Sequence, residues 1–234
     1  MNDATGNDAT ENDATENDAT GNVATGQNIK PETVLDFWFP DDGHQDTAQS
    51  HRQFWTWRMQ GHADKAICEN FTELTKAAAK GHLDFWADTP RGRLALITAL
   101  DQFPRSLWRD SPAAYGQDIK AARLAIEGLE NSHYDALNNV WEKQFCLIAI
   151  SHCEGPEHQQ RMERLIDEAA KLVELAPDHL SSFYQLGIEQ NERVRDIISL
   201  YGRHPHRNNI LGRISTRDEE AYIRNGEFPH QRSI

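Results

Sequence analysis

The stretch Gly92-Arg-Leu-Ala-Leu-Ile-Thr-Ala-Leu-Asp-Gln-Phe-Pro-Arg105 decides how this chain folds. From Leu94 to Leu100 every residue except Thr98 is apolar, and there is no alternation of the kind that marks a half-buried strand. On a helix these side chains would point in nearly all directions, so the run predicts a helix at the centre of the molecule. The run ends in polar residues and then in Pro104, which interrupts helices.

Outward from this run, apolar residues recur at intervals of three and four, the pattern of helices with one buried face. No segment shows the pattern of a strand. The predicted helices are 31–39, 46–59, 63–80, 91–103, 111–129, 134–153, 157–176, 177–201 and one that begins at Ser215 or Thr216. We therefore expect an all-α fold of about nine helices without a sheet, arranged as an irregular antiparallel array.

Residues 1–28 differ in composition from the rest of the chain. They repeat the pentapeptide Asn-Asp-Ala-Thr-Gly/Glu and contain no aromatic residue. Such a segment cannot bury enough apolar surface to offset the entropy lost on ordering, so we predict a disordered low-complexity tail. It has neither the basic start nor the apolar core of a secretory signal. Residues 29–234 are long enough for a single all-α domain.

The net charge of the chain is −13, of which the tail supplies six negative charges. The remaining part is also acidic, which argues against nonspecific binding to nucleic acid or to anionic membranes. No apolar run approaches the roughly 20 residues that a membrane span needs. The three cysteines form no C-x-x-C pair, as expected for a protein of the reducing cytoplasm.

Most familiar catalytic and cofactor motifs are missing from the sequence. There is no nucleophile elbow and no glycine-rich loop for a nucleotide, so we expect no cofactor. His204 and His206, or His152 and Glu154, could begin a metal site, but no third ligand at helical spacing accompanies either pair. We predict no metal site.

Two basic loops follow strongly apolar helical runs. One is 101–105, and the other is 202–213, which precedes a helix whose N-terminus favours negative charge. Arginine side chains suit bidentate binding of carboxylate or phosphate. We predict that the loops meet in one site for a small anionic molecule, with ligand-binding residues Asp101, Gln102, Arg105, Arg203, His206, Arg207, Asn208 and Arg213, together with His152 and Glu154.

Other interpretations of these loops stay open. Asp101 is also consistent with an ion pair to Arg105, Arg203, Arg207 or Arg213 that ties helix ends together. The arginines are also consistent with binding of helix carbonyls. An enzyme at the same site, a hydrolase or lyase of a phosphorylated or carboxylated compound, would use His206 or His152 as acid or base. Asp101 or Glu154 would then orient that histidine. A third possibility is a helical scaffold that binds a protein partner; the sequence indicates no oligomeric state.

Six short motifs, in order, resemble a bacterial family of domains of unknown function, number 924. They are Leu35–Phe39, Gly92–Ile97, Asp101–Arg105, His152–Glu154, Gly202–Asn208 and Leu211–Thr216. The resemblance implies an all-α fold of the tetratricopeptide-like superfamily and brings no established reaction. The chain departs from the family pattern at Lys143-Gln144, Ser106, Val194 and His204.

Overall fold

The structure is a computed structural model that describes residues 30–226 and Phe228. This part contains ten α-helices, three short 3-10 turns and no strand. The helices are α1 (Pro31–Trp38), α2 (Ala48–Met59), α3 (Asp64–Ala79), α4 (Pro90–Asp101), α5 (Phe103–Leu107), α6 (Asp118–Glu130), α7 (Val140–His152), α8 (His158–Leu175), α9 (Ser181–Tyr201) and α10 (Arg217–Asn225). The 3-10 turns are Asp84–Asp88, Pro112–Tyr115 and Pro205–Arg207. Only α5 is shorter than eight residues, so the prediction of an all-α fold with about nine helices is confirmed.

Helix α4 is the centre around which the others pack. Its N-cap Thr89 accepts a hydrogen bond from the amide of Gly92, and every residue from Gly92 to Asp101 is buried. Helices α1, α3, α6 and α7 surround it. Each buried leucine or isoleucine contributes about 1.5–3 kcal/mol relative to an exposed one. An all-round apolar helix is therefore stable only in this central position.

Helices α8 and α9 form a hairpin that packs against α7. Helix α8 buries one stripe and exposes the other side, as its spacing requires: Met162, Leu165, Ala169 and Leu172 are buried. Helix α9 begins after a turn in which the amide of Ser181 donates to the carbonyl of Pro177. The hairpin places the N-terminal half of α9 opposite α2.

Three predicted helix starts are wrong. The segment after Ser111 is a 3-10 turn, and α6 begins only at Asp118. Residues 134–136 form a turn and residues 137–139 are irregular, with Lys143 donating to the carbonyl of Asp135, and α7 begins at Val140. Helix α9 begins at Ser181 rather than at Pro177. Each segment carries helix-like apolar spacing, which does not distinguish a turn that packs on the core from the first turn of a helix.

The predicted disordered tail, residues 1–28, lies outside the described residues. In the described part, no helix combines the length and the apolar character that crossing a membrane requires.

Candidate functional site

A cavity of about 670 Å³ lies between α2, α7 and α9. Each helix contributes side chains spaced three, four and seven residues apart, which places them on one face. The three stripes are Arg52, Trp55, Thr56 and Met59; Trp141, Gln144, Phe145, Ile148 and His152; and Phe183, Tyr184, Gly187, Gln190 and Asn191. Met59 and Leu186 are about half exposed, so the cavity opens to solvent on their side.

Much of the wall is aromatic, and the rings hold one another in place. The ring of Phe145 lies 4.7 Å from that of Trp55 and 5.6 Å from that of Trp38, the latter nearly perpendicular. Trp55 donates its indole N–H to the buried ring of His51. The edge-to-face contact with Trp38 and the tilted contact with Trp55 restrict the orientation of the Phe145 ring. The apolar wall is therefore preformed.

The two basic segments meet at one end of this cavity; the prediction of a loop at 101–105 is wrong, because Phe103–Leu107 forms the short helix α5 directly after α4. The junction of α4 and α5 presents Gln102, α5 presents Arg105, and the 3-10 turn Pro205–Arg207 presents His206 and Arg207. Between them lies Tyr115, whose ring centroid is 5.7 Å from the guanidinium of Arg105 and 4.5 Å from that of Arg207. Both prolines that begin these elements fix the direction of the chain. The structure thus brings Gln102, Arg105, His206 and Arg207 together.

Asp101 lies directly behind this end of the cavity and is fully buried. Its carboxylate accepts from Nδ1 of His152 at 2.9 and 3.0 Å, and also contacts Gln102 and Arg105. Burial alone would raise the pKa of Asp101, but Arg105 and His152 outweigh it and hold the pKa well below its usual range. Of the four arginines predicted as partners of Asp101, Arg105 is the one that pairs with it.

His152 therefore forms part of the cavity wall with its tautomer fixed. Because the ionised Asp101 can only accept, Nδ1 carries the proton and the lone pair of the ring is on Nε2. Burial, and then the nearby charge of Arg105, lower the pKa of His152. The imidazole is accordingly neutral near pH 7.

Asp118, the first residue of α6, bridges the two loops. Its carboxylate is 3.0 Å from Nη2 of Arg105 and 3.1 Å from Nη1 of Arg207. The same nitrogen of Arg207 donates to the backbone carbonyl of His152 at 2.9 Å. Two arginines and two aspartates thus balance each other at the end of the cavity.

Glu154 and Arg213 lie together, outside the cavity lining. The carboxylate of Glu154 accepts from the side chain of Arg213 and from the backbone amide of His204. Burial would raise the pKa of Glu154, but these two hydrogen bonds keep it below its usual range. The cluster ties the end of α7 to the loop before α10.

Arg203 and Asn208 are also placed apart from the cavity. Arg203 binds Glu219 with two hydrogen bonds of 2.6 and 2.8 Å, and Asn208 donates to Ser215. Glu219 also accepts from the amide of Thr216 in the capping box of α10. The N-terminus of α10, predicted to favour a bound anion, therefore already has the carboxylate of Glu219 as its partner.

Several residues of the site were not found from the sequence. Asp118 and Tyr115 sit in a segment predicted as continuous helix, so nothing indicated that they face the two loops. Arg58 was missed because it is hidden in the run Phe54-Trp-Thr-Trp-Arg58. An arginine four residues after an aromatic on a helix could have been noticed, because its guanidinium then covers that ring.

The arginines that line the cavity differ in whether a carboxylate balances their charge. Arg105 and Arg207 share Asp118, and Arg109 pairs with Asp64. Arg52 and Arg58 form no ion pair with a carboxylate of residues 30–226. Asp110 is the single acidic residue among the side chains that line the cavity in the described structure.

Arg58 is the more unusual of these two arginines, since it is buried. Its guanidinium lies 4.2 Å from the ring centroid of Phe54 and 5.3 Å from that of Trp38, and it donates to the carbonyl of Phe37 at 2.7 Å. Burial lowers the pKa of Arg58 to about 10, which still leaves it charged at neutral pH. It brings a positive charge to the aromatic wall.

Histidines surround the outer side of the second loop. The ring centroid of His204 lies 5.4 Å from that of His158 and 5.5 Å from that of His206. Burial lowers the pKa of His206 to about 4, with Arg207 as the next cause. Among the described residues, no three His, Cys, Asp or Glu side chains are grouped so that they could hold a metal ion.

Comparison with known proteins agrees with this architecture. Residues 34–227 match the model of a family described as bacterial protein of unknown function, DUF924. A similar solved structure is that of a protein of unknown function from Agrobacterium tumefaciens, 28% identical, with a TM-score of 0.63 over 84% of this chain and 97% of that one. No curated protein matches. Since the family match spans nearly all of the described helices, the chain belongs to the DUF924 family of bacterial proteins of unknown function.

Proposed function

We propose that this protein binds a small organic monoanion with a flat apolar body in the central cavity. The observation that carries the proposal is a cavity of about 670 Å³ whose wall combines packed aromatic rings with five arginines and a single acidic side chain. Cavities of this size are typical of sites for small molecules, and a few polar groups in an apolar wall orient the ligand.

The charge of the ligand follows from how many cavity arginines are balanced by carboxylates of the protein. The group Arg105, Arg207, Asp101 and Asp118 has no net charge while His152 is neutral. Arg52 and Arg58 form no ion pair in the described chain, and Asp42 acts on Arg58 only at longer range. With Asp110 counted, the five lining arginines and the three aspartates paired with them, Asp64, Asp101 and Asp118, leave one positive charge. Of the two, only Arg58 is buried; a buried charge without an ion pair is costly, and a bound anion would reduce that cost. One net positive charge is matched by the single negative charge of a carboxylate and not by the roughly two negative charges of a phosphate monoester.

The body of the ligand follows from the three stripes. Trp55, Trp141, Phe145 and Phe183 offer ring faces and edges along the length of the cavity. Gly187 leaves space in the middle of the α9 stripe, where a side chain would occupy the cavity. An aromatic acid therefore fits better than a hydrophilic metabolite of the same charge.

The test is a titration calorimetry series with three probes: naphthoate, its neutral alcohol naphthylmethanol, and acetate. We expect naphthoate to bind most tightly, because it alone supplies both the ring and the charge. Naphthoate at a hundred times its Kd should stabilise the fold by about 2.7 kcal/mol. Equal affinity for the alcohol, or no binding of naphthoate, would contradict the proposal.

Variants locate the site. Arg52→Gln and Arg58→Met remove the uncompensated charges, and Gly187→Phe places a ring in the cavity; each should weaken naphthoate binding at least about tenfold, or 1.4 kcal/mol. Arg193→Gln is the matched control, because Arg193 is an exposed arginine of α9 outside the lining. An equal loss in the control would place the probe elsewhere.

A partner-binding scaffold has less support. The lining rings of Trp38, Trp55 and Tyr184 are buried, whereas a peptide groove presents its aromatic side chains to solvent. The tetratricopeptide-like relationship that the family resemblance implies stays a prediction.

A further inference from the structure

The pair His152 and Asp101 has a property that anion binding does not need. A binding site for a carboxylate gains from cationic or N–H donors, but His152 is a neutral imidazole whose lone pair is on Nε2. A fully buried carboxylate is placed behind it at 2.9 Å. A carboxylate that holds Nδ1–H and stabilises the imidazolium is the arrangement that makes a histidine an effective general base.

We propose that His152 is a general base that activates water to hydrolyse a carboxylic ester of an aromatic acid in the central cavity, with Asp101 as its positioning residue. This inference rests on the proposed binding function, because the acid released would be the organic anion that the cavity binds. Arg105 contacts Asp101, and Arg207 donates to the backbone carbonyl of His152. Both guanidinium groups line the cavity, and their N–H groups would donate to the oxyanion that forms when an ester carbonyl is attacked.

The side chains of the wall favour direct attack by water over a covalent intermediate. Ser106 lines the cavity, but its hydroxyl donates to Asp64 at 2.7 Å. Cys146 and Cys153 do not line the cavity, and burial raises the pKa of both thiols. A water molecule is small enough to reach His152 beside a bound ester.

The reaction balances without a further reactant. Water oxygen bonds to the acyl carbon while Nε2 of His152 takes its proton, and the carbonyl electrons move onto oxygen. When these electrons return, the bond from the acyl carbon to the alcohol oxygen breaks. The imidazolium of His152 then gives its proton to the leaving alkoxide, so that ester and water yield acid and alcohol.

The experiment measures hydrolysis of the nitrophenyl ester of naphthoic acid, with naphthoate binding measured on the same variants. We expect turnover by the unaltered chain, and a loss of about a hundredfold or more in kcat for His152→Gln, which should still bind naphthoate. His82→Gln is the control, because His82 is exposed and lies outside the cavity. It should keep the turnover of the unaltered chain.

The outcomes separate the two proposals. Naphthoate binding without turnover, or turnover that survives His152→Gln, overturns the catalytic inference and leaves the binding function intact. Absence of both binding and turnover overturns both. Turnover lost equally in His82→Gln would mean that the ester reacts with surface histidines, which also overturns the inference.

The pH dependence tests Asp101 as a positioning residue. The titratable and charged groups that face His152 from the packed elements are Asp101, Arg105, Asp118, His206 and Arg207. The negative charge of Asp101 raises the pKa of His152, so Asp101→Asn should move the acid limb of the kcat/KM profile to lower pH and lower kcat. An unchanged acid limb in a folded variant would overturn this role.

If Asp101→Asn does not fold, nitrogen NMR of histidine side chains in the unaltered chain provides the test. The proposal requires that His152 carry its proton on Nδ1 at neutral pH. A proton on Nε2, or on both nitrogens, would overturn it.

Discussion

Asp118 and Arg207 lie 89 residues apart in the sequence and meet in a buried hydrogen bond of 3.1 Å between Oδ2 and Nη1. Because Arg105 binds the same carboxylate, Asp118 is the point at which α5, α6 and the 3-10 turn before α10 are joined. The segment that carries Asp118 into this position begins with a short 3-10 turn, and not with the helix that its sequence predicts.

Asp118→Asn should therefore be strongly destabilising. It leaves the buried guanidinium of Arg207 without a carboxylate partner in the described chain and leaves Arg105 with Asp101 alone, a change that costs about 3–5 kcal/mol. The control is Glu73→Gln, which removes an exposed ion pair with Lys76 on α3 and should cost less than about 1 kcal/mol. Urea unfolding of both variants is the measurement, and equal losses would contradict a central role of Asp118.

Gly187→Ala should stabilise the protein. Gly187 lies inside α9, and a Cβ there would meet only Nε2 of Gln144, at 3.6 Å. Replacing a glycine in a helix interior by alanine gains about 0.5–1 kcal/mol. Gly92→Ala is the opposite case, because its Cβ would lie 2.2 Å from the carbonyl oxygen of Trp86. Thermal unfolding should show a higher Tm for the first variant and a lower one for the second.

Stability should fall as the pH is lowered from about 6.5 to about 4. Burial lowers the pKa of His51, His158 and His206 to about 4, against 6.5 in an unfolded chain. In that window the unfolded chain binds more protons, so acid favours it, by about 1.4 kcal/mol per pKa unit and group. Above pH 7 these groups contribute no slope.

The slope of the unfolding free energy against pH identifies the histidines that are responsible. His158→Gln should give a flatter dependence of unfolding free energy on pH between 4 and 6.5, whatever its effect on stability at pH 7. His62→Gln removes an exposed histidine and should leave the slope as it is. A steeper or equal slope in His158→Gln would contradict the assignment.

Arg203→Gln should weaken the fold without changing the cavity. Arg203 binds Glu219 and the carbonyl of Ile214, which holds α10 in place, and it does not line the cavity. Because Arg203 is partly exposed, we expect a loss of about 1 kcal/mol. Naphthoate affinity, measured below the unfolding transition, should be the same as in the unaltered chain. A clear loss of affinity would move the anion site toward α10.

The helices of this fold could be predicted from the sequence more easily than the contacts between them. The helix at 91–103 was recognisable because its apolar residues leave no polar face. The loops around Arg105 and Arg207 were recognisable because proline and arginine follow each helix end. The carboxylates that pair with each arginine were not, since tertiary packing brings Asp118, Glu154 and Glu219 to them from 13 to 89 residues away, beyond the reach of helical spacing.

The cavity could not be predicted from the sequence either, because it also depends on tertiary packing. Its stripes on α2, α7 and α9 look, in the sequence, like ordinary core-facing residues, because a cavity wall and a packed core share the same periodicity. Trp141 and Phe183 belong to such stripes. Only the relative placement of the three helices decides whether their shared face is filled by side chains or left open.

The bridge at Asp118 also constrains how this chain can change over evolutionary time. Loss of that carboxylate alone leaves the buried Arg207 without a carboxylate partner in the described chain, whereas loss of Arg207 alone still leaves Arg105 to balance Asp118. Positions 105, 118 and 207 are therefore epistatic, and the order in which substitutions arise matters. A lineage can reach a different polar arrangement here if an arginine is substituted first. If Asp118 is substituted first, the intermediate sequence folds poorly.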